Sequence, residues 1–158
     1  MNTTQEEFLQ ISINTAKSLI TATEALDFLS KHPNSHVRSC VAYNSNTSSE
    51  TLDYLSKDEY SYIRCCVAQN PNTTSETLDY LSKDEYSGVR CCVAENPNTT
   101  SKTLDYLSKD KESYVRCRVA VNRNYKKKTT IELSSAQHKA LKKLIESSQD
   151  PELRNVTL

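Results

Sequence analysis

The strongest constraint on this chain is a segment written repeatedly at one constant interval. Ile63-Arg64-Cys65-Cys66-Val67-Ala68 returns as Val89-Arg90-Cys91-Cys92-Val93-Ala94, and an Asn-Pro-Asn-Thr run and a Thr-Leu-Asp-Tyr-Leu-Ser-Lys-Asp segment follow each. The same signature starts at Val37 and at Val115, so successive copies lie 26 residues apart. A fixed interval of this size implies a stack of units, each burying its apolar face only against its neighbours. Function is then expected on a surface of repeated columns rather than in one assembled pocket.

Composition narrows the function classes. The 158 residues fit one all-α domain, and 36% apolar content suffices when the core is distributed along a stack. Gly88 is the sole glycine, which removes the glycine loops that cradle phosphates. The opening residues Met1 to Glu7 hold neither a basic start nor an apolar run. No signal peptide or membrane span is therefore expected, and the expected location is cytoplasmic.

The six cysteines fall in two columns of the repeat, Cys40/Cys66/Cys92 and Cys65/Cys91/Cys117. Equivalent residues on stacked helices should stand about 9–10 Å apart, beyond the separation a disulfide tolerates. Free thiols acting as small buried hydrophobes are expected. Metal binding is not, because tetrahedral sites show close Cys-x-x-Cys or Cys/His spacing. Redox sensing is not expected either, since only the neighbouring arginine would lower a thiol pKa.

Each unit reads as two short helices. In the first, Thr73 and Glu76 have capping-box spacing, as do Thr47 and Glu50, while Lys102 breaks the box in the copy capped by Thr99. Leu78 and Leu81 form its buried ridge, and Asp79/Lys83 is an exposed i,i+4 pair. The second helix starts after Ser61, Ser87 or Ser113 as N-cap. Ile63, Cys66 and Val67 share one of its faces, with Ala68 beside them and Cys65 on the other side. Asn70-Pro71-Asn72 ends it, because the residue before proline leaves the α region.

Taken together, Val/Ile-Arg-x-x-Val-Ala-x-Asn-Pro-Asn-Thr followed by Leu-x-x-Leu-Ser-x-Asp resembles the leucine-rich repeat variant family, a bacterial relative of HEAT-type repeats. The resemblance covers Thr23 to Tyr125 and implies a right-handed α-solenoid of stacked two-helix repeats, in which one helix of a pair can be 3₁₀. It also implies an Asp–Arg ladder linking turns and neighbouring units, with Asp58, Asp84 and Asp110 each six residues ahead of Arg64, Arg90 and Arg116. The chain departs from the family in its slightly longer unit and lacks the N-terminal cysteine-rich segment of some members. A single repeat domain, residues 1–158, is expected: a capping region and degenerate repeat over 1–36, clear repeats over 37–125, and a C-terminal cap over 126–158.

Catalysis has little support. His32, His36 and His138 are scattered, and no Ser/His/Asp or Cys/His arrangement is evident. The chain is therefore read as non-catalytic, without cofactor or metal. Under the resemblance the Val-Arg-x-x-Val-Ala helices line the concave side. Tyr43, Gln69, Glu95 and Val121 form one outward column there, and Ser39, Cys65, Cys91 and Cys117 another. These two columns are the expected face for an unidentified protein partner. The tyrosines Tyr54, Tyr80 and Tyr106, with Phe28 ahead of them, are expected to pack between units, as are Tyr60, Tyr62, Tyr86 and Tyr114.

Charge is unevenly divided. Residues 1–114 carry 10 Lys/Arg against 16 Asp/Glu, and residues 115–158 carry 10 against 4. Arg116, Arg118, Arg123, Lys126, Lys127 and Lys128, with Tyr125 for stacking, make nucleic-acid binding the alternative function. A solvated, solubilising face is the simpler reading of the same run. The opposed ends leave a monomer or head-to-tail self-association open.

Overall fold

The computed structural model describes residues 3–18 and 22–125, with Lys139 and Lys143. Apart from these two lysines, the expected C-terminal cap, with Lys126, Lys127 and Lys128 of the basic run, lies outside the described residues. All regular structure among the described residues is α-helical. A 15-residue helix α1 (Thr3–Lys17) comes first. Seven-residue helices α2 (Thr23–Leu29), α4 (Ser49–Leu55), α6 (Ser75–Leu81) and α8 (Ser101–Leu107) then alternate with nine-residue helices α3 (Ser35–Tyr43), α5 (Ser61–Gln69), α7 (Ser87–Glu95) and α9 (Ser113–Val121). None of the nine is 3₁₀, and residues 123–125 are helical again. No helix among the described residues is long and apolar enough to cross a membrane.

Packing is sequential. α1 packs on α3, α3 on α5, α5 on α7 and α7 on α9, while α4, α6 and α8 each pack on the longer helices before and after them. Helices of seven to nine residues are too short to persist alone in water, so burial must hold them. Leu52/Leu55, Leu78/Leu81 and Leu104/Leu107 are sealed from solvent, as are Val37, Val41 and Ala42 of α3 and their counterparts Ile63, Val67 and Ala68 of α5. Each such large aliphatic side chain contributes about 1.5–3 kcal/mol. Cys66 is only half-buried, and the residue sealed beside Ile63 is instead Arg64, 8% exposed.

The caps sit one residue later than the spacing suggests. The N-caps of α4, α6 and α8 are Ser48, Thr74 and Thr100, whose hydroxyls accept from the backbone N–H of Thr51, Thr77 and Thr103. Thr47, Thr73 and Thr99 are buried and donate to the carbonyls of Val41, Val67 and Val93, tying off the preceding helix. A hydroxyl beside an orphan helix-end carbonyl is better used as a donor there than as a cap. Glu50 and Glu76 accept from their own backbone N–H, which holds both carboxylates below their ordinary value. Ser61, Ser87 and Ser113 lie inside their helices, after Tyr60, Tyr86 and Glu112, which give no side-chain cap. The donor at that position is taken instead by Asp58, Asp84 or Asp110, whose Oδ1 accepts from the N–H two residues on.

Asparagines join consecutive long helices. Asn70 Nδ2 donates to Ala42 O at 2.8 Å and Asn44 O at 2.9 Å, and Asn96 Nδ2 donates to Ala68 O at 2.7 Å and Asn70 O at 3.2 Å. Asn44 and Asn122 do the same to Ala16 and Ser18, and to Ala94 and Asn96. Each Oδ1 meanwhile accepts from the N–H two residues on, as at Asn96 to Asn98. One amide thus fills all its roles, two donors across the junction and an acceptor at home. Asn96→Asp should be more destabilising than Asn96→Ala, because a carboxylate would face two carbonyls. Asn96→Ala should cost about 1–3 kcal/mol for the stranded carbonyls, and urea unfolding of the two variants orders them.

Candidate functional site

Two sets of side chains run along the long helices, one buried between units and one facing outward. In the buried set Arg64 Nε and Nη2 donate to Asp84 Oδ2 and Oδ1 at 2.6 and 2.9 Å. Its Nη1 donates to the carbonyls of Asp58 and Glu59 at 2.8 and 3.1 Å. Arg90 repeats this with Asp110 and with the carbonyls of Asp84 and Glu85. The aspartate six residues ahead of each arginine therefore offers its carbonyl, while the carboxylate comes from the aspartate 20 residues later. A bidentate carboxylate contact and two carbonyl contacts use the planar guanidinium in a way no ammonium could.

The ladder begins one unit earlier than the residues Asp58 to Arg116. Arg38 pairs with Asp58 and donates to the carbonyls of His32 and Pro33. Arg116 keeps its carbonyl contacts to Asp110 and Lys111 but has no carboxylate partner among the described residues, and it is exposed. Stripping Arg90 thus strands Asp110, not Asp84.

The outward set is uneven. Tyr43 is 74% exposed and Val121 58% exposed, Gln69, Glu95 and Cys117 are also exposed, and Cys65 and Cys91 are half-buried. Between α1, α3 and α5 a groove of about 660 Å³ is walled by Tyr43, Gln69 and Pro71, floored by Cys40 and Cys66, and edged by Lys17. Burial pushes the Cys40 and Cys66 thiols up, so this floor is neutral. Further along, Glu95 accepts from Arg118 Nε at 2.8 Å, which closes the face between α7 and α9 with an ion pair.

Phe28 and the Tyr54, Tyr80 and Tyr106 column stay on the surface, whereas tyrosines at the connections touch the preceding unit from outside. Phe28 is 75% exposed, and Tyr54, Tyr80 and Tyr106 are 53–55% exposed. Tyr60, Tyr62, Tyr86 and Tyr114 stay exposed at the connections, where Arg38 stacks on Tyr60 and Arg64 on Tyr86 at 5.8 and 5.9 Å. The units lean on aliphatic side chains and on the polar bridges, so the Tyr54, Tyr80 and Tyr106 rings have no cavity to fill. In the basic run Arg118 is bound to Glu95, and Tyr125 is half-buried against the core rather than free for stacking. His32 serves a local turn, its Nδ1 accepting from Asn34 N at 3.0 Å. Among the described residues no group of three or more His, Cys, Asp or Glu side chains is placed to hold a metal ion.

Arg90→Ala should lower stability by about 3–5 kcal/mol, as breaking a buried pair does, since the Arg90 and Asp110 side chains are 8% and 6% exposed. Arg116→Ala should cost about 1 kcal/mol or less, and thermal unfolding of both variants reads the difference. Hydrogen bonds from Arg90 hold the Asp110 carboxyl below its ordinary value. A depressed folded value means the pair's contribution is complete above the unfolded value, about pH 3.9. It is lost as pH falls through the folded value. Asp110→Asn should therefore flatten the acid limb of the stability curve measured by chemical unfolding between pH 2 and 6.

Compared with known proteins, the chain matches no family model and no curated protein.

Proposed function

We propose that the chain is a non-catalytic α-solenoid of the leucine-rich repeat variant type that binds a protein partner along the outward face of α3, α5, α7 and α9. Three features support the solenoid reading. The sequence repeats every 26 residues, each long helix packs on the next, and the three junctions from α3 to α9 reuse the same Asn and Arg bridges. On this reading the Arg–Asp pairs correspond to the Asp–Arg ladder that the family resemblance implies, with Arg38 as an added first rung. On this reading the face is concave and the twist right-handed.

The observation that carries the binding reading is the groove at α1, α3 and α5. Tyr43 and Gln69, two members of the column that varies between copies, wall the same groove over the thiols of Cys40 and Cys66. Apolar floors with a few convergent polar groups are the usual form of a recognition site, and an exposed tyrosine is a common anchor of protein interfaces. The matching ligand is an extended peptide segment that places an apolar side chain on the thiols and a carbonyl or carboxylate by Lys17. Glu95, Cys91 and Cys65 continue the surface, with Cys117 and Val121 at its far edge. Nothing in this reading needs a cofactor, and the proposed location is cytoplasmic.

Nucleic-acid binding is the second reading, favoured by one observation, the exposed guanidinium of Arg116. Against it stand the Arg118–Glu95 pair and the half-buried Tyr125. Peptides selected from a displayed library on the full chain should lose about tenfold or more in affinity with Tyr43→Ala or Gln69→Ala, and keep it with Tyr106→Ala. Independence of Tyr43 and Gln69, together with oligonucleotide binding that weakens steeply with salt and depends on Arg116, would replace this reading with the second.

A further inference from the structure

The junctions between consecutive long helices share one design but differ at one contact. Where α7 meets α9, Cys91 lies beside the Arg118 guanidinium. Where α5 meets α7, the equivalent positions are both cysteine, and the Cys65 and Cys92 thiols lie close enough to perturb each other. In α3 the residue equivalent to Cys65 is Ser39. A thiol pair that bridges two helices in direct contact therefore belongs to the α5–α7 junction.

The chain's one glycine stands at the same place. Gly88 is four residues ahead of Cys92 on α7, hence on the same helix face. A side chain built on it would have Cys65 Sγ as its near neighbour, at 4.0 Å. The equivalent residues of α5 and α9 are Tyr62 and Tyr114. Tyr114 lies back over α7, its hydroxyl donating to Ser87 Oγ. At Gly88 that ring is missing, so the space beside Cys65 is open. Both thiols are half-buried, not sealed.

We propose that Cys65 and Cys92 are an oxidative modification site, closing to a reversible disulfide that ties α5 to α7 when the protein meets a hydroperoxide. The Cys65 thiolate attacks the peroxide oxygen, giving Cys65 sulfenic acid and releasing hydroxide, or an alcohol after protonation when the peroxide is organic. The Cys92 sulfur then attacks the sulfenic sulfur, forming the S–S bond and losing its own proton and the sulfenic hydroxyl as water. Two thiols are oxidised by two electrons and one peroxide is reduced. A thiol donor restores the pair by exchange.

Roles within the pair follow from its surroundings. Cys65 is held below the ordinary thiol value by the Cys92 S–H it accepts from, against its partial burial and the carboxylate of Asp84, with Arg64 helping. Cys92 is pushed up by that same hydrogen bond, by burial and by Cys91 and Glu95. Cys65, beside the Arg64 guanidinium and the space left at Gly88, is the attacking thiol and Cys92 the resolving one. Burial also pushes up their neighbours Cys66 and Cys91, which makes them the poorer nucleophiles.

The test uses the full chain, reduced, freed of reductant and treated with hydrogen peroxide. Intact mass should fall by about 2 Da for the two hydrogens lost, and dithiothreitol should restore it. Without reductant, trypsin should release residues 65–83 linked to residues 91–102, since it cuts after Arg64, Lys83, Arg90 and Lys102. The double variant Cys66→Ser/Cys91→Ser should keep the link. Cys65→Ser should abolish it while circular dichroism stays unchanged, because α3 already carries serine there. Gly88→Tyr should slow its formation. A link lost in the Cys66→Ser/Cys91→Ser variant, oxidation that stops at sulfinic acid, or disulfides joining separate chains would each overturn the proposal.

Discussion

Everything in this structure depends on side-chain donors reaching back to the backbone carbonyls of the preceding unit. Helices of seven and nine residues expose a large share of their carbonyls, since the last four of any helix have no partner within it. Stacked face to face, those ends are shut away from water, where an unmet carbonyl costs about 1–3 kcal/mol. The chain meets them with residues it repeats. Thr73 closes the helix behind it, Asn70 and Asn72 reach across the junction, and Arg64 gathers the carbonyls at the turn before its own helix. Among the described residues no buried side-chain nitrogen or oxygen is left without a partner.

This requirement selects the residue types. An aspartate in place of Asn70 would repel the carbonyls it must bond. A lysine in place of Arg64 could neither hold both oxygens of Asp84 nor keep two carbonyls in the same plane. The carboxylate of Asp84 is equally occupied, because it also accepts from Tyr86 N and so sets the entry of α7. Each ion pair therefore couples the start of one helix to the side chain of the previous one. At the first rung His32 stands where the other units have aspartate. It keeps the turn contact through Nδ1 and the carbonyl contact to Arg38 but has no carboxylate to offer. Arg116 is the converse, an arginine whose carboxylate partner is missing among the described residues.

The aliphatic pattern was legible. Leucines three apart and the Val/Ile and Val positions are buried in every copy, and the Ala position in all but the last, where Ala120 is exposed, because helical periodicity alone decides which face they share. The polar half was not. Thr73 and Thr74 are adjacent hydroxyls of the same type, and only the position of the preceding helix decides which one caps and which one donates backward. Asn70 reads locally as a helix stop, and it is one, but its two N–H groups act 26 and 28 residues away. No local pattern marks such a contact. The Tyr54, Tyr80 and Tyr106 column misled for a related reason: near-identical copies preserve exposed rings and buried ones alike, so recurrence alone does not indicate packing.

What separates structure from candidate function is therefore departure from the repeat. Positions that bridge units hardly vary, since every junction has the same carbonyls to meet. The outward column runs from Tyr43 to Gln69, Glu95 and Val121, changing in size, charge and polarity at sites that are all exposed. Those changes are not neutral to their surroundings. Tyr43 and Gln69 make one groove, Glu95 instead captures Arg118, and Gly88 removes a ring beside the Cys65 and Cys92 thiols. A scaffold fixed by its bridges can accept such local changes without altering how its units meet, and this is how a monotonous chain comes to present a surface that differs from one end to the other.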